Sequence, residues 1–347
     1  MPELFVTNFN KNFTGVSATA ANVIRQQMQN HDLRLVGHPL PGCPDPITLN
    51  EARQLCQNRP DGRDFAIWHV RRNPEMRAAI WSRDILKLPI RIVFTSAAQR
   101  LHSTYPRWLI RKMDAIVATT EIAAHYVNNV HAVVPHGVDT DLFSPVEDRA
   151  AAWSKLGHGG ELGIATIGRI RPEKGTDLFV DAILQVLPKI PNAKALIIGR
   201  AGREHKKFLE GLRARIQAAN LADRILFVGE VAAKDLPQLM QSLSLVMQLP
   251  RYEGYGMVPL EGIASGVPFV GSHTGYYEEF SAQGKTGTVV PLKDADAAAQ
   301  AALSILTNPA RHASMSLDAR EIACHGFSSA SEAAGIESVY QGLWDAI

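Results

Sequence analysis

Two glutamates frame a glycine-rich turn in the stretch RYEGYGMVPLE at residues 251–261. Glu253 follows the apolar run LSLVMQLP, which is typical of a buried strand, and acids at the carboxyl end of a parallel strand commonly face a ligand crevice. Pro259 predicts a helix that begins at that residue, so Glu261 is expected in the first helical turn. An acid in that turn either stabilises the positive end of the helix dipole or contacts a ligand, and the stretch alone leaves both interpretations open.

A second strand-to-helix junction carries positive charge, in the stretch IGRIRPEKGTDLF at residues 167–179. Arg169 and Lys174 lie in its loop, and a helix is expected to begin near Thr176 or Asp177. Cations and unpaired backbone N–H groups at a helix start favour bound anions. A basic surface turn would contain the same residues, but two such junctions in one sheet could together clasp a diphosphate.

A third junction, NFTGVSATAANVI at residues 12–24, contains a single glycine between a predicted strand and a predicted helix. Gly15 allows a tight turn there, and Ser17 is a candidate cap for the helix. The three-glycine dinucleotide fingerprint with its later acid is missing, which argues against a nicotinamide-dependent dehydrogenase, and the Walker pattern is missing too.

These junctions need a scaffold of parallel sheets. Six apolar, β-branched runs in the first half and six in the second alternate with amphipathic stretches, which predicts parallel sheets covered by helices on both faces. The mixed Pro, Gly and charged segment at 141–160 is a plausible linker. We therefore expect an α/β protein of two Rossmann-like domains, at 1–150 and 151–327, with a final amphipathic helix at about 328–347 that packs back toward the first domain.

Composition excludes several classes of protein. The chain of 347 residues is 46% hydrophobic and 20% charged with a net charge of +2, as in globular proteins. It has no apolar stretch of spanning length, no secretory signal pattern and three cysteines without metal-like spacing, so we expect a cytoplasmic protein. Residues 53–112 hold 13 lysines and arginines against four acids, a bias that favours an anionic lipid or sugar acid as partner over nucleic acid.

The motifs GRIRPEKG and EGYGMVPLEGIASGVPFVGS, preceded by VVPHGVDTDLFSP, resemble the family-four retaining glycosyltransferases. That family has the GT-B fold, in which two Rossmann-like domains with parallel sheets face each other across a cleft. The resemblance implies a nucleotide-sugar donor, with Arg169 and Lys174 on its diphosphate, Glu253 on the transferred sugar and Glu261 on the ribose. It makes Glu253, Arg169 and Lys174 the catalytic candidates.

The resemblance also implies further donor contacts, several of them through the backbone. The turn of the E-x7-E motif would meet the phosphate and sugar, the end of RILFVGEV would approach the base, and the first-half glycine would lie near the donor. These residues are Gly254, Tyr255, Gly256, Met257 and Val258 in the turn, Glu230 and Val231 beside the base, and Gly15.

In the first half, WHVRRNPEM and RIVFTSAAQRLHS resemble lipopolysaccharide core mannosyltransferases of the rhizobial type. That likeness implies GDP-mannose as donor and a Kdo inner core as acceptor, reached by peripheral contact with the inner membrane. The acceptor-side candidates are His69, Arg71, Arg72, Gln99 and Arg100. Many family members carry a histidine where this chain reads VFTSAAQR, so no histidine role is assigned there. His69 is equally well explained as a structural histidine at a strand end.

The implied mechanism is transfer with retention, in which the acceptor hydroxyl attacks from the leaving-group face and a phosphate oxygen takes its proton. The Asp-x-Asp patterns at 139–141 and 294–296 are explained by turn and helix-start contexts, so no metal or other cofactor is expected. A hydrolase with Glu253 and Glu261 as acid and nucleophile is disfavoured, because one acid precedes the turn and the other follows it. A UDP-sugar donor and a catalytically silent binding protein of the same fold stay open as alternatives. The oligomeric state is not predicted.

Overall fold

A computed structural model describes residues 1–346 of the chain, which fold into two compact units. The first unit comprises residues 1–139 together with the described residues from Phe327 onward, and the second comprises Thr140–Gly326. Each unit contains one six-stranded parallel sheet with helices alternating between the strands. The predicted α/β architecture of two parallel sheets is confirmed.

All twelve apolar runs form strands. The first sheet has the order β2-β1-β3-β4-β5-β6 and the second has the order β12-β11-β10-β7-β8-β9. The strands are β1 (Leu4–Asn8), β2 (Leu33–Gly37), β3 (Ala66–Val70), β4 (Ile90–Ser96), β5 (Ala115–Ala118), β6 (Ala132–Val133), β7 (Leu162–Ile167), β8 (Ala193–Ile198), β9 (Ile225–Gly229), β10 (Leu245–Gln248), β11 (Phe269–Ser272) and β12 (Gly287–Val290).

Helices cover both faces of each sheet. In chain order they are α1 (Gly15–Gln27), α2 (Leu49–Leu55), α3 (Asn73–Ile80), α4 (Thr104–Ile110), α5 (Glu121–His125), α6 (Arg149–Lys155), α7 (Thr176–Val186), α8 (Lys206–Ala218), α9 (Leu236–Ser242), α10 (Met257–Ala264), α11 (Tyr277–Ser281), α12 (Ala295–Leu306), α13 (Pro309–Gly326) and α14 (Ser329–Asp345). A π-helical turn (Trp81–Ile85) follows α3, and a 3-10 turn (Pro172–Lys174) precedes α7. Within residues 1–346 no helix has the length and apolar character needed to cross a membrane.

Two local predictions about helix starts are wrong. α10 begins at Met257 after Gly256, so Pro259 is its third residue and Glu261 its fifth. Proline is tolerated there because the first four N–H groups of a helix have no partner within it. At the first junction the residue before the helix is Thr14, while Ser17 is already inside α1 and its hydroxyl accepts a hydrogen bond from Arg72 at 3.0 Å.

The segment at 141–160 contains α6 and belongs to the second unit. Trp153 of α6 is buried against Gly163 of β7, where an added Cβ would lie 2.2 Å from the indole ring. This packing holds the segment on the sheet. At the other end of the chain, α14 packs on α1 and buries Ile336, Tyr340 and Trp344 in the core of the first unit.

Candidate active site

The second sheet reverses its strand order between β7 and β10, which are hydrogen-bonded neighbours. From β7 the chain builds outward through β8 and β9, and it then returns to place β10, β11 and β12 on the other side. The two loops that leave the carboxyl ends of β7 and β10 therefore diverge, and this divergence opens a crevice that binds ligands in parallel α/β sheets. The predicted motifs occupy these two loops, at 168–175 and 249–256.

Gly175 is where the two loops touch. Its φ of 68° lies in the left-handed region, and an added Cβ would lie 1.7 Å from the carbonyl oxygen of Leu249. Both the conformation and the close approach exclude a side chain at this position. The glycine thus lets the β7 loop lie directly against the β10 loop before α7 begins.

Arg251 ties the two loops together, a role that the sequence did not predict. Its guanidinium donates to both carboxylate oxygens of Asp177, at 2.8 and 2.6 Å, and also to the carbonyl of Pro172. Its backbone N–H donates to the carbonyl of Glu173 at 2.9 Å. Such a two-pronged arginine–carboxylate contact fixes orientation as well as distance.

The Asp177 carboxylate also changes the expected anion site at the start of α7. Burial opposes its ionisation, but hydrogen bonds from Arg251 and from the backbone N–H groups of Asp177 and Leu178 outweigh that effect and lower the pKa of Asp177. The start of α7 therefore already holds a negative charge from the protein. The contribution of this helix start to binding an external anion is smaller than the sequence suggested.

Lys174 and Glu253 meet at the crevice, one from each loop. The ammonium group of Lys174 lies 2.6 Å from a carboxylate oxygen of Glu253, and both side chains are partly exposed. The backbone N–H of Glu253 donates to the hydroxyl of Thr274 at 3.1 Å, so the loop after β11 supports this residue. The structure thus brings together two of the three predicted catalytic residues, although they are 79 positions apart in the chain.

The turn after Glu253 is shaped by aromatic packing. Gly256 has a φ of 108°, and an added Cβ would lie 2.1 Å from the ring of Tyr277. Tyr255 is buried and stacks on Tyr276 with ring centroids 5.3 Å apart. Among the described residues no side chain caps α10, and Met257 and Val258 in its first turn are half-buried. The first-turn amides of α10 have no partner inside the helix, which leaves this terminus suited to an anion.

Glu261 is buried, with 9% of its surface exposed. Within residues 1–346 its carboxyl group has neither an ion pair nor a hydrogen bond, and burial raises its pKa to about 8. It lies beyond the first turn of α10, so stabilisation of the helix dipole does not account for it. A buried carboxyl without a protein partner is costly, which is typical of a group reserved for a ligand.

The other predicted donor-side residues lie at the same edge of the second sheet. Arg169 follows β7 and is exposed. Glu230 and Val231 follow β9. The Glu230 carboxylate forms an ion pair with Arg200 at 3.6 Å, and both of these side chains are exposed. Gly254 is half-buried, and its N–H donates to a carboxylate oxygen of Glu253 at 3.0 Å.

In the first sheet the strand order reverses between β1 and β3, and Arg72 and Glu75 join the loops that follow these strands. Arg72 donates to Asn8, Glu75, Thr14 and Ser17 at 3.0 to 3.3 Å. The fully buried Glu75 accepts from the backbone N–H groups of Phe9, Arg71 and Arg72. These contacts show that Arg72 positions the loop before α1, a role that the acceptor-side prediction did not include.

His69 is fully buried in β3. One ring nitrogen is hydrogen-bonded to the hydroxyl of Tyr340 and the other lies 2.7 Å from the hydroxyl of Thr95. Burial, with smaller effects from Arg71 and His136, lowers the pKa of His69 well below its usual value, so the ring is neutral. Because both nitrogens have protein partners, the structural interpretation of His69 is favoured over contact with an acceptor.

Arg71 contrasts with Arg72. Arg71 is only 9% exposed, and none of its three guanidinium nitrogens has a hydrogen-bond partner within residues 1–346. Burial lowers the pKa of this guanidinium, while Tyr340, Glu332 and Glu75 act in the opposite direction. The hydroxyls of Ser96 and Thr119, at the ends of the neighbouring strands β4 and β5, are also buried and have no partner among the described residues. Unpaired buried polar groups carry a desolvation cost, so this cluster is suited to an anionic, hydroxyl-bearing ligand.

Gly15 is the first residue of α1, and nothing lies within 4 Å of an added Cβ at this position. The packing of the protein therefore does not explain a glycine there.

Gln99 is half-buried and Arg100 is exposed in the loop after β4. Across residues 1–346 no group of three or more histidine, cysteine, aspartate or glutamate side chains is placed to hold a metal ion.

Comparison with known proteins places this architecture in a family. A family model described as "Glycosyl transferases group 1" matches residues 150–322. The chain is 37% identical, over 98% of its length and 97% of the relative, to the lipopolysaccharide core biosynthesis mannosyltransferase LpsB of Rhizobium meliloti strain 1021. The chain belongs to the group 1 glycosyltransferases. The predicted family relationship is confirmed, and the protein is a glycosyltransferase.

A second relative and a solved structure agree with this assignment. The glycosyltransferase is 36% identical to the lipopolysaccharide core biosynthesis mannosyltransferase LpcC of Rhizobium leguminosarum bv. viciae, over 98% of this chain and 96% of that protein. A crystal structure of Anabaena Alr3699/HepE in complex with UDP superposes with a TM-score of 0.81 over 99% of this chain and 100% of that chain, at 16% identity. This likeness of fold confirms the predicted GT-B architecture.

Proposed function

We propose that this glycosyltransferase moves mannose from GDP-mannose to the Kdo inner core of a lipopolysaccharide precursor, with retention of the anomeric configuration. The observation that carries the proposal is the Lys174–Glu253 pair at the strand-order reversal of the second sheet, in a chain similar over nearly its whole length to two lipopolysaccharide core mannosyltransferases.

On the donor side, Arg169 and Lys174 bind the diphosphate, and the first turn of α10 adds the positive end of its dipole. These charges stabilise the leaving group as its bond to the sugar breaks. Lys174 and Glu253 neutralise each other before the donor binds, at 2.6 Å. When phosphate oxygens draw Lys174 away, the Glu253 carboxylate becomes free to accept hydrogen bonds from the sugar hydroxyls.

The nucleoside lies against Glu261 and the end of β9. Ribose hydroxyls donate to an oxygen of the Glu261 carboxyl group, which has no partner among residues 1–346. The backbone around Glu230 and Val231 contacts the base. Gly15 is a further proposed donor contact, and an added Cβ at this position would have no described atom within 4 Å.

On the acceptor side, Arg71 binds an acidic group, with the Ser96 and Thr119 hydroxyls beside it. Kdo is a sugar acid, so it supplies both the carboxylate that an unpaired guanidinium requires and hydroxyls for the neighbouring side chains. Gln99 and Arg100 lie in the loop after β4 and extend the acceptor contacts. The attacking hydroxyl passes its proton to a phosphate oxygen of the leaving group, so no side chain acts as the base.

A donor panel tests the proposal. Purified protein is given GDP-mannose or UDP-sugars, with and without a Kdo-bearing lipid acceptor, and the release of nucleotide is measured. We expect release that depends on GDP-mannose and on the acceptor and that persists in excess EDTA. Loss of activity in EDTA with rescue by magnesium would contradict metal independence, and turnover of a UDP-sugar alone would establish the alternative donor.

Variants separate an enzyme from a catalytically silent binding protein. Lys174→Met and Glu253→Gln are each expected to lower kcat by roughly 10²- to 10³-fold. The exposed Glu279→Gln on α11 serves as the matched control. Arg71→Met is expected to raise the KM for the Kdo acceptor while leaving the affinity for GDP unchanged. If no donor is turned over and Glu253→Gln changes nothing, the silent-protein alternative is correct.

A further inference from the structure

A cavity of about 850 Å³ lies in the first unit, beside α4, β5 and the segment that joins α5 to β6. The apolar part of its lining includes the buried side chains of Ile110, Ile116 and Val127. Sites for small molecules in proteins have volumes of roughly 300 to 1,000 Å³ and are lined by apolar side chains with a few polar groups. This cavity is therefore large enough for a small ligand.

The cavity is separate from the acceptor-side cluster of Arg71, Ser96 and Thr119. Two of its lining residues, Asp114 and His131, directly precede β5 and β6, so they mark the amino ends of these strands. The cluster lies instead at the carboxyl ends of the strands of the same sheet. A strand of four residues such as β5 spans roughly 13 Å, so a ligand near Asp114 and His131 does not occupy the cluster.

Two arginines give the rim of the cavity a positive charge. Arg107 in α4 and Arg111 after it are exposed, and neither side chain has an ion pair or a hydrogen bond within residues 1–346. Asp114, the carboxylate in this lining, is already paired with Arg83 and Arg91 at 2.5 and 2.9 Å. The charge available to a ligand is therefore positive, which favours an anion.

Uncharged polar groups complete the rim. The hydroxyl of Tyr126 and the side-chain amides of Asn128 and Asn129 make no hydrogen bond within residues 1–346. An amide both donates and accepts hydrogen bonds, which suits the neighbouring hydroxyls of a sugar. The Tyr126 ring is 37% exposed and offers an apolar face with a polar tip. The rim thus has partners for hydroxyl groups as well as for a negative charge.

We propose that this cavity, which we call the α4–α5 cavity (lined from residues 101–116 and 125–131), binds an anionic saccharide, either a sugar acid or a sugar phosphate. The two arginines pair with the carboxylate or phosphate, and the amides and the tyrosine bind the sugar hydroxyls. A free inorganic anion would leave the amides and the apolar lining without a partner. A neutral sugar would leave both arginines without one.

The test follows the methyl group of Met113, which lines the cavity, by NMR of the full chain labelled with ¹³C-methyl methionine. Met113→Leu assigns this signal, and the signal of Met315, buried in the second unit, is the reference that should not move. Kdo and glucose 6-phosphate are titrated separately, with glucose and inorganic phosphate as matched probes. We expect a saturable shift of the Met113 signal with an anionic saccharide, at an affinity at least tenfold higher than for either matched probe.

The two saccharides identify the source of the anion. A response to Kdo alone assigns the cavity to sugar acids, a response to glucose 6-phosphate alone assigns it to sugar phosphates, and both outcomes support the proposal. Inorganic phosphate that binds as tightly as the saccharides would overturn it, because the site would then hold an adventitious ion only. A Met113 signal that does not shift with either saccharide at millimolar concentration would also overturn it.

Variants locate the binding. Arg107→Gln/Arg111→Gln should weaken the saccharide affinity at least tenfold, and Tyr126→Ala should weaken it by roughly threefold or more. The matched control is Lys155→Gln/Lys189→Gln, which removes two exposed charges from the second unit and should bind as the parent does. Thermal unfolding checks that each variant is folded. An affinity that the arginine pair does not change would contradict the proposal.

Arg71→Met separates this site from the acceptor-side cluster. The variant should keep the saccharide-dependent shift of the Met113 signal, because the cavity lies at the other end of the strands. Loss of the shift in Arg71→Met would show that the saccharide acts from the cluster, and it would overturn the proposal. No sugar donor and no turnover enter these measurements, so their outcome is independent of the proposed enzymatic activity.

Discussion

Replacing Glu261 by glutamine is expected to stabilise the protein and to weaken nucleotide binding. The Glu261 carboxyl is buried without a partner among the described residues, and its pKa is raised from 4.5 to about 8. Between these two values the unfolded chain has released this proton and the folded chain still holds it. The unfolded state therefore binds fewer protons, and the free energy of unfolding decreases as the pH rises.

The magnitude follows from the two pKa values of Glu261. Each pH unit in that interval costs about 1.4 kcal/mol, so from pH 5 to pH 8 the parent loses roughly 3 to 4 kcal/mol of stability through this group. Glutamine does not titrate and is free of this loss. The difference in the free energy of unfolding between the variant and the parent should therefore increase by that amount over the same range.

Urea unfolding of both proteins at pH 5 and pH 8 measures this difference, and the exposed Glu279→Gln controls for a general effect of removing a carboxylate. GDP affinity measured by calorimetry at about pH 9, where the Glu261 carboxyl is ionised, should decrease by roughly tenfold or more, because glutamine replaces a charged acceptor of ribose hydrogen bonds. A difference in stability that is the same at pH 5 and pH 8 would refute the reasoning, because it would show that the Glu261 carboxyl does not keep its proton in the folded protein.

Three further substitutions test local contacts within the fold. Gly175→Ala should destabilise the second unit by more than about 2 kcal/mol, because it places a side chain at a positive φ and against the neighbouring loop. Gly211→Ala, in the exposed middle of α8, should instead stabilise the unit by up to about 1 kcal/mol. Urea unfolding compares the two variants, and equal effects would contradict the close contact at Gly175. Arg251→Lys keeps the charge but loses the two-pronged contact with Asp177, so the free energy of unfolding should decrease by about 2 kcal/mol and the GDP affinity should also decrease. If both values are unchanged, the contact does not fix the loops. His31 lies 2.5 Å from the carboxylates of Glu337 and Glu3, and these contacts raise its pKa in the folded protein. The stability that His31 adds is therefore complete below pH 6.5 and is lost as the pH rises through the pKa of the folded state. His31→Gln should destabilise the protein at pH 6 and much less at pH 9, and an effect that does not depend on pH would contradict this.

Strands were the most predictable part of the fold. Each of the twelve β-branched runs became a strand, because continuous apolar runs of that length are buried on both faces only in a covered parallel sheet. Short helices were the least predictable. α2, α5, α6 and α11 have five to seven residues, too few to show a periodic pattern. α6 lies in the segment read as a linker and is held by the fit of Trp153 against Gly163.

The sequence predicted which residues belong to the candidate site better than it predicted the contacts between them. Strand-end loops with glycine, cation and acid were visible in the sequence, and Lys174 and Glu253 do lie together. The Arg251–Asp177 contact was not visible, since it joins residues 74 positions apart that meet only because β7 and β10 are neighbours. Likewise His69 and Arg71 are two positions apart at a strand end, yet both ring nitrogens of His69 are hydrogen-bonded and, within residues 1–346, no guanidinium nitrogen of Arg71 is.

By itself, the sequence determined the alternation of strands and helices, the loops that carry charge and the family to which those motifs belong, because these properties depend on residues close together in the chain. Tertiary structure decided which polar groups have partners. The strand order determines which strand ends are neighbours, and burial determines the free-energy cost of a charged group that has no partner. For that reason the Glu261 carboxyl and the Arg71 guanidinium, which have no partner within residues 1–346, are recognisable only in the folded molecule.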